Sequence, residues 1–366
     1  MNDNKKIKVI AFYLPQFHPT PNNDIWWGKG FTEWTNACKA RPLFRGHYQP
    51  HIPADLGFYD LRLLESRLAQ ANMAKEYGID GFCYYHYWFD EGRQELELPF
   101  QEVLNSGTPN FPFMLCWANE SWYSKFWNND STVSKKLLVE QKYEDENENI
   151  NHFIHLLKAF KDPRHLTIDG KPMFMIYRPL DFPNVNKFIM LWQSLAKKNG
   201  LPGIYFIGQT IDIEKDYDPI ISFGFDAVNS VRHYDVIRNR PAINKIFTRI
   251  KRFLFPSPLK KDYGKVFSSF IGEREKENNV IPTILPNWDH TPRSGKGGYV
   301  LVNSTPHFFA KHIEQVFRTL IHKKNKIAFI KSWNEWGEGN YMEPDLKFGR
   351  GYLEELKRIK DEFTCE

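Results

Sequence analysis

Short apolar runs, rich in β-branched and aromatic residues, recur along the chain at 7–14, 79–87, 112–118, 172–178, 204–209, 227–230, 280–285 and 327–333. Each has the length of a buried strand, and most are followed by a segment with a helical period. Eight such runs alternating with helices predict an α/β fold of a single kind, a closed (β/α)8 TIM barrel with long loops at the strand ends. The clearest helix is expected at 61–77. There Asp60 is placed to cap the start, Leu61, Leu64, Leu68 and Ala71 make one stripe, and Gly78 stops it. Further helices are expected at 147–160, 185–198, 307–322 and 352–363, the last closing the barrel.

Two segments are too long to be ordinary turns. Residues 15–59 are rich in Pro, Gly, Trp and His, and residues 231–279 contain Ile246-Phe-Thr-Arg-Ile-Lys-Arg-Phe-Leu-Phe255, read as a small helical excursion. The 366 residues suit one catalytic barrel spanning the chain, with these two segments as insertions, and no repeat or low-complexity linker divides it.

Composition narrows the function. A hydrophobic content of 42% is ample for a core, while an aromatic content of 16% suggests that some rings serve a ligand. The net charge is only +5, and the one basic cluster, Arg249, Lys251, Arg252, Lys260 and Lys261, reads as a solvated face or a peripheral membrane contact rather than a nucleic-acid site. No stretch approaches a membrane span, so stable insertion is not expected. Cys38, Cys83, Cys116 and Cys365 have neither disulfide nor zinc spacing, and the first apolar run reads as a strand rather than a signal peptide. A cytoplasmic protein is therefore expected.

The candidate chemistry gathers at the ends of the predicted strands, where barrels build their sites. Strand one ends in Tyr13-Leu-Pro-Gln-Phe-His18, with Gln16 inside it. Strand two ends in Tyr84-Tyr-His-Tyr-Trp88, offering Tyr85, His86 and Trp88, and strand three in Trp117-Ala-Asn-Glu-Ser-Trp122, offering Trp117, Asn119 and Glu120. Tyr177 and Arg178 follow strand four, Gln209 ends strand five, Asn229 with His233 beyond it follows strand six, and Asn287-Trp-Asp-His290 follows strand seven. Trp27, Glu33 and Trp34 come from the long first loop. Amides, imidazoles, carboxylates and flat rings at one face are what recognition of a polyol needs.

The densest stretch is Ile327-Ala-Phe-Ile-Lys-Ser-Trp-Asn-Glu-Trp-Gly-Glu-Gly339. Glu335 and Glu338 sit on a turn broken by Gly337 and Gly339, with Trp333, Asn334 and Trp336 around them. Two carboxyls aimed at one small volume, beside apolar rings that raise a carboxyl pKa, supply the acid and the base or nucleophile that break a glycosidic bond. Glu335 with Glu120 is the rival pairing. Glu33 is a fourth carboxylate, read as a binding or loop-anchoring residue, or else as a partner of Lys29 or Arg41.

Tyr13-Leu-Pro-Gln-Phe-His18, Trp26-Trp-Gly-Lys-Gly-Phe-Thr-Glu-Trp34, Trp117-Ala-Asn-Glu120, Tyr177-Arg-Pro179 and Trp333-Asn-Glu-Trp-Gly-Glu-Gly339 resemble the WbsX family, known as glycosyltransferases of lipopolysaccharide O-antigen clusters. That family is in turn similar to glycoside hydrolase family 99, the endo-α-mannosidases and endo-mannanases. The second resemblance implies retention through the sugar's own 2-hydroxyl: Glu335 as its base, an anhydro-sugar intermediate, and Glu338 as acid to the leaving oxygen. Here Trp336-Gly337 stands between the two Glu where family 99 differs. The expected partner is a glycan, with no cofactor and no metal. The alternative is a nucleotide-sugar transferase in O-antigen or capsule synthesis, for which Asp216-Tyr-Asp218 and the glycines around Lys296 are weak signals.

Overall fold

The computed structural model describes residues 6–124, 136–143, 145–239, 241, 243 and 254–365. Eight parallel strands carry the fold: β1 (Lys8–Tyr13), β2 (Gly81–Trp88), β3 (Phe113–Trp117), β4 (Lys171–Ile176), β5 (Tyr205–Thr210), β6 (Ala227–Ser230), β7 (Val280–Ile284) and β8 (Ile327–Ile330). Each pairs with the next in sequence, and β1 also pairs with β8, Lys8 lying opposite Ile327. The sheet is therefore a closed (β/α)8 barrel. Its strands bury nearly every residue, Phe113–Trp117 all but completely, which explains why they read as apolar runs rather than alternating ones.

The helices that cover it are α1 (Leu64–Glu76), α2 (Leu98–Ser106), α3 (Glu146–Phe160), α4 (Val185–Lys198), α5 (Ile213–Ser222), α6 (Pro306–Leu320) and α7 (Gly351–Cys365). Two of them start on a side-chain cap. Asp145 accepts from the Asn147 N–H at the head of α3, and Thr305 from Phe308 N–H at the head of α6, where Pro306 takes the first helical position. α6 buries Phe309, Ile313, Val316, Phe317 and Leu320 against the barrel and packs beside α7, which closes the ring. Two helices escaped the periodic reading. α2 opens on Leu98-Pro99, and α5 carries Pro219 within it.

Three expectations need correction. The helix predicted from Leu61 begins at Leu64, and Asp60 does not cap it: its carboxylate instead accepts from the Arg62 N–H at 2.8 Å and from the Arg62 guanidinium. Its buried face is also not the leucine stripe. Arg67, Gln70, Ala71, Met73 and Ala74 face inward while Leu64 is exposed, because Gln70 bridges the Tyr13 hydroxyl (2.6 Å) to Glu343 (2.7 Å). Strand eight stops at Ile330, three residues early. The excursion expected at 246–255 falls, but for Leu254 and Phe255, outside the described residues, as do Arg249, Lys251 and Arg252 of the basic cluster. Among the described residues no helix is long and apolar enough to cross a membrane.

Between the barrel and α3 two imidazoles are buried without charge. The Nε2 atoms of His86 and His152 lie 2.8 Å apart, and Trp88 stacks flat on the His152 ring. Burial pushes His86 down to about 3 and His152 well below its usual value. The unfolded chain protonates both rings near pH 6.5, so the stability they contribute is full above that pH and is lost as the pH falls through the window below it. Thermal melts between pH 7.5 and 5 are expected to fall, by up to about 1.4 kcal/mol per pH unit for each imidazole, and His86→Gln to flatten the slope.

Candidate active site

Beyond Ile330 the backbone turns back on itself. Asn334–Glu335 pairs antiparallel with Asn340–Tyr341, and the turn between them holds Trp336–Glu338 and Gly339, whose φ is 56°. Ser332 Oγ accepts from the N–H groups of both Asn334 and Glu335, at 3.1 Å each. Asn334 accepts from Leu14 N–H at 2.7 Å and donates to Leu14 C=O at 3.0 Å, tying the turn to the end of β1. Trp336 donates its indole N–H to Glu343 at 2.6 Å and lies stacked on Tyr341, with ring centres 3.8 Å apart. Glu343 also accepts from Tyr59, and burial pushes its carboxyl up to about 7. These contacts hold the turn in one shape.

What the turn presents is a pair of buried carboxyls in an open cleft of about 710 Å3 at the C-terminal ends of the strands. Glu335 receives the Asn340 amide at 3.3 Å and has Lys331 Nζ at 3.5 Å. Glu338 accepts from Arg293 Nη1 at 2.6 Å, with His290 Nε2 at 3.5 Å. The other end of the Arg293 fork donates to Glu33 at 2.5 Å, and Glu33 in turn accepts from the Gly337 N–H at 2.9 Å. Glu33, fully buried, thus grips the turn between the two carboxyls, and neither Lys29 nor Arg41 is its partner. Only glycine fits at 337, since a Cβ there would lie 2.2 Å from Glu33 Oε1.

The charges push the two carboxyls apart. Burial and the neighbouring Glu338 raise Glu335 to about 7 against the pull of Lys331, whereas Arg293 and His290 hold Glu338 well below the usual carboxylate range despite its burial. Near neutrality the pair therefore holds one proton and one charge. Splitting two like groups in this way is how sites obtain an acid and a base together.

Around the pair, Tyr85, Tyr177, Gln209 and Gln16 line the cleft as the strand ends suggested, and Trp27 joins them from the long first loop. Glu120 lines it too, but half-exposed and 3.3 Å from Arg178. Asn119 pins the neighbouring loop, accepting from Arg178 N–H at 2.7 Å and donating to its C=O at 3.0 Å. Others are elsewhere. Successive strand residues point to opposite faces, so Tyr85 and Tyr87 face the cleft while His86 and Trp88 turn to α3. Tyr13 reaches Gln70, His18 folds back on Pro15 C=O, and Trp34 donates to Tyr59 C=O. The indoles of Trp333 and Trp336, expected as sugar platforms, are buried as packing, and Asn334 serves the backbone. Asn287 lines a separate hollow.

Tyr87, His233, Trp288 and His290 stood within the strand-end segments without a role assigned to them, and Tyr234, Arg293 and Lys331 were not selected; all seven line the cleft. Lys331 left a signal: a charge at the end of a buried apolar run needs a partner. Arg293 left none. Trp117 is also core, donating to Trp88 C=O at 3.0 Å and enclosed by His152, Phe182 and Phe188. Trp117→Phe is expected to cost about 1–3 kcal/mol in a denaturant melt, by leaving that carbonyl unpaired, without changing glycan affinity.

The family model for glycosyltransferase WbsX matches residues 9–356. The chain belongs to that family. It thereby stands among carbohydrate-active proteins. Two WxcX proteins of Xanthomonas campestris pv. campestris are 32% identical over 358 residues and 33% over 363; each match covers 96% of this chain and 49% of the relative. The chain thus spans about half the length of these curated relatives. Among solved structures, the family 99 endo-alpha-mannosidase of Bacteroides thetaiotaomicron superposes with a TM-score of 0.59 at 16% identity, covering 99% of this chain and 98% of that one. A glycoside hydrolase-like protein gives the same TM-score and identity over 97% and 94%. At such identity the likeness is one of fold.

Proposed function

We propose that the barrel is a retaining glycoside hydrolase that cuts a bacterial polysaccharide or oligosaccharide, with Glu335 and Glu338 as the catalytic pair. The observation that carries this is the pair itself: two buried carboxyls on one turn, one raised by burial and the other held low by Arg293, in a cleft walled by Tyr85, Tyr87, Tyr177, Tyr234 and Trp288. In the mechanism suggested by the resemblance, Glu335 removes the proton of the substrate 2-hydroxyl, whose oxygen displaces the leaving group while Glu338 protonates it. Water then opens the anhydro-sugar with the roles reversed, so configuration is retained. That mechanism needs the proton on Glu338 in the working complex, whereas the charges around the pair favour it on Glu335. Substrate entry must move it. No cofactor takes part, and we take the whole chain as one catalytic barrel acting in the cytoplasm.

The family name favours a second reading, transfer from a nucleotide sugar. The Asp216-Tyr-Asp218 motif lends it little support, since Asp216 accepts from the Thr210 hydroxyl and Asp218 is exposed beside Arg274, both on α5. The deciding experiment supplies purified protein with bacterial polysaccharides and, separately, with nucleotide sugars. New reducing ends support hydrolysis; consumption of a nucleotide sugar with no glycan cut overturns it.

The pH profile follows from the shared proton. As pH rises through about 7, Glu335 gives up its proton and the free enzyme loses the acid of the pair, so kcat/KM is expected to fall there. A profile flat from pH 6 to 9 would contradict the assignment.

A further inference from the structure

Behind the catalytic turn lies a second hollow, of about 570 Å3, that the proposed reaction does not use. The two spaces share a wall. Glu338 and His290 face the cleft, while their chain neighbours Gly339 and Asp289 face the hollow, and the Asp289 N–H donates to Glu338 C=O at 2.6 Å across that wall. Its far side is built from the long first loop and from residues following β7 and β8.

The groups at its surface are unevenly matched. Its two carboxylates are occupied. Asp289 accepts from His47, Gln49 and Thr291, and Asp345 from Tyr341 and from the N–H groups of Lys347 and Phe348. Its cations are not. Arg45, Lys260 and Lys347 all line the hollow, and none has an ion-pair partner among the described residues; Lys260 lies 4.4 Å from the Phe44 ring centre and Lys347 4.5 Å from that of Tyr48. Asn287, also in the lining, carries a buried Oδ1 that is an acceptor without a donor. Three positive charges call for an anion, and an orphaned acceptor calls for a hydroxyl. A saccharide ring that bears an acidic group offers both.

We propose that this hollow is an accessory subsite for an acidic sugar unit, one bearing a carboxylate or a phosphate, of the same glycan whose neighbouring bond lies in the cleft. The identity of the ligand as a saccharide rests on the glycan reading of that cleft. A unit seated here would press on the wall formed by Asp289 and Gly339. That wall has no slack, because a Cβ at Gly339 would meet Asp289 Cβ at 2.8 Å. Occupancy therefore bears directly on the backbone of Glu338.

The test is calorimetric titration of the intact chain with a uronic-acid disaccharide, its neutral carboxyl-reduced counterpart and a hexose 1-phosphate, in wild type, in the double variant Lys260→Glu/Lys347→Glu, and in Arg178→Ala. Arg178→Ala serves as the control that strikes the cleft. The expected result is that at least one of the two acidic sugars binds more tightly than the neutral one, loses ten-fold or more in the lysine double variant and in added salt, and is unaffected by Arg178→Ala. Which of the two binds tells a carboxylate from a phosphate. No acidic-sugar binding to wild type, equal binding of the neutral disaccharide, or sensitivity to Arg178→Ala rather than to the lysine changes overturns the subsite. Failure of wild type to cut any glycan, with lysine-dependent binding intact, would instead count against the hydrolase reading alone.

Discussion

Glu338→Gln is expected to lower turnover of unactivated glycans by about 10²–10⁴-fold while leaving their KM nearly unchanged. Glutamine keeps the volume and still accepts from Arg293, so the cleft keeps its shape, but it has no proton to give the leaving oxygen. A dinitrophenyl glycoside needs no such proton, and its hydrolysis should survive the change. Glu335→Gln removes the group that activates the 2-hydroxyl and should abolish both activities. The pair of substrates thus reports the two roles separately. If the dinitrophenyl glycoside rescues Glu335→Gln rather than Glu338→Gln, the acid and base are exchanged, as the raised Glu335 and lowered Glu338 would favour. Full turnover by Glu338→Gln would shift the acid role to Glu120.

Arg293→Met should be the most damaging substitution for stability. The guanidinium sits between Glu33 and Glu338, at 2.5 Å and 2.6 Å, and both carboxylates are buried. Methionine fills much of the space and leaves two negative charges without their common partner, a loss on the order of 3–5 kcal/mol. Relief can come only from proton uptake. Glu338 loses the contact that holds its carboxyl low, so the variant should be least stable at alkaline pH and recover as the pH falls. Arg293→Lys should fall between, because a single ammonium cannot fork to two carboxylates. Denaturant melts at pH 6 and pH 9 check both statements; a methionine variant that melts like wild type at pH 9 would mean the fork is not the anchor it resembles.

The barrel was legible because its strands are buried on both faces and leave continuous apolar runs such as Phe113–Trp117. Two helices were not: α2 is a short helix with Pro99 in its first turn, and α5 carries Pro219 in its interior, where proline reads as a helix breaker. The turn that carries Glu335 and Glu338 was legible too, since Gly337 and Gly339 among carboxyls and indoles break every regular period. Its indoles were misassigned for a definite reason: alternation tells inside from outside only along a strand, and Trp333 and Trp336 lie past the end of β8. The electrostatics were illegible. Arg293 reaches Glu338 from 45 residues away and Glu33 from 260, and no local pattern links positions so distant.

The tie between Asn334 and Leu14 spans 320 residues. It closes the seam where β8 meets β1, so that one pairing must wait for the last strand, although β1 can already lie against β2 and β8 against β7. Contacts of such long range form late in folding, after local helices and adjacent strand pairs. In a refolding experiment, enzymatic activity should accordingly reappear after the helical signal has recovered. The molecule would complete its cleft as its final structural event, and a half-assembled barrel would lack the site.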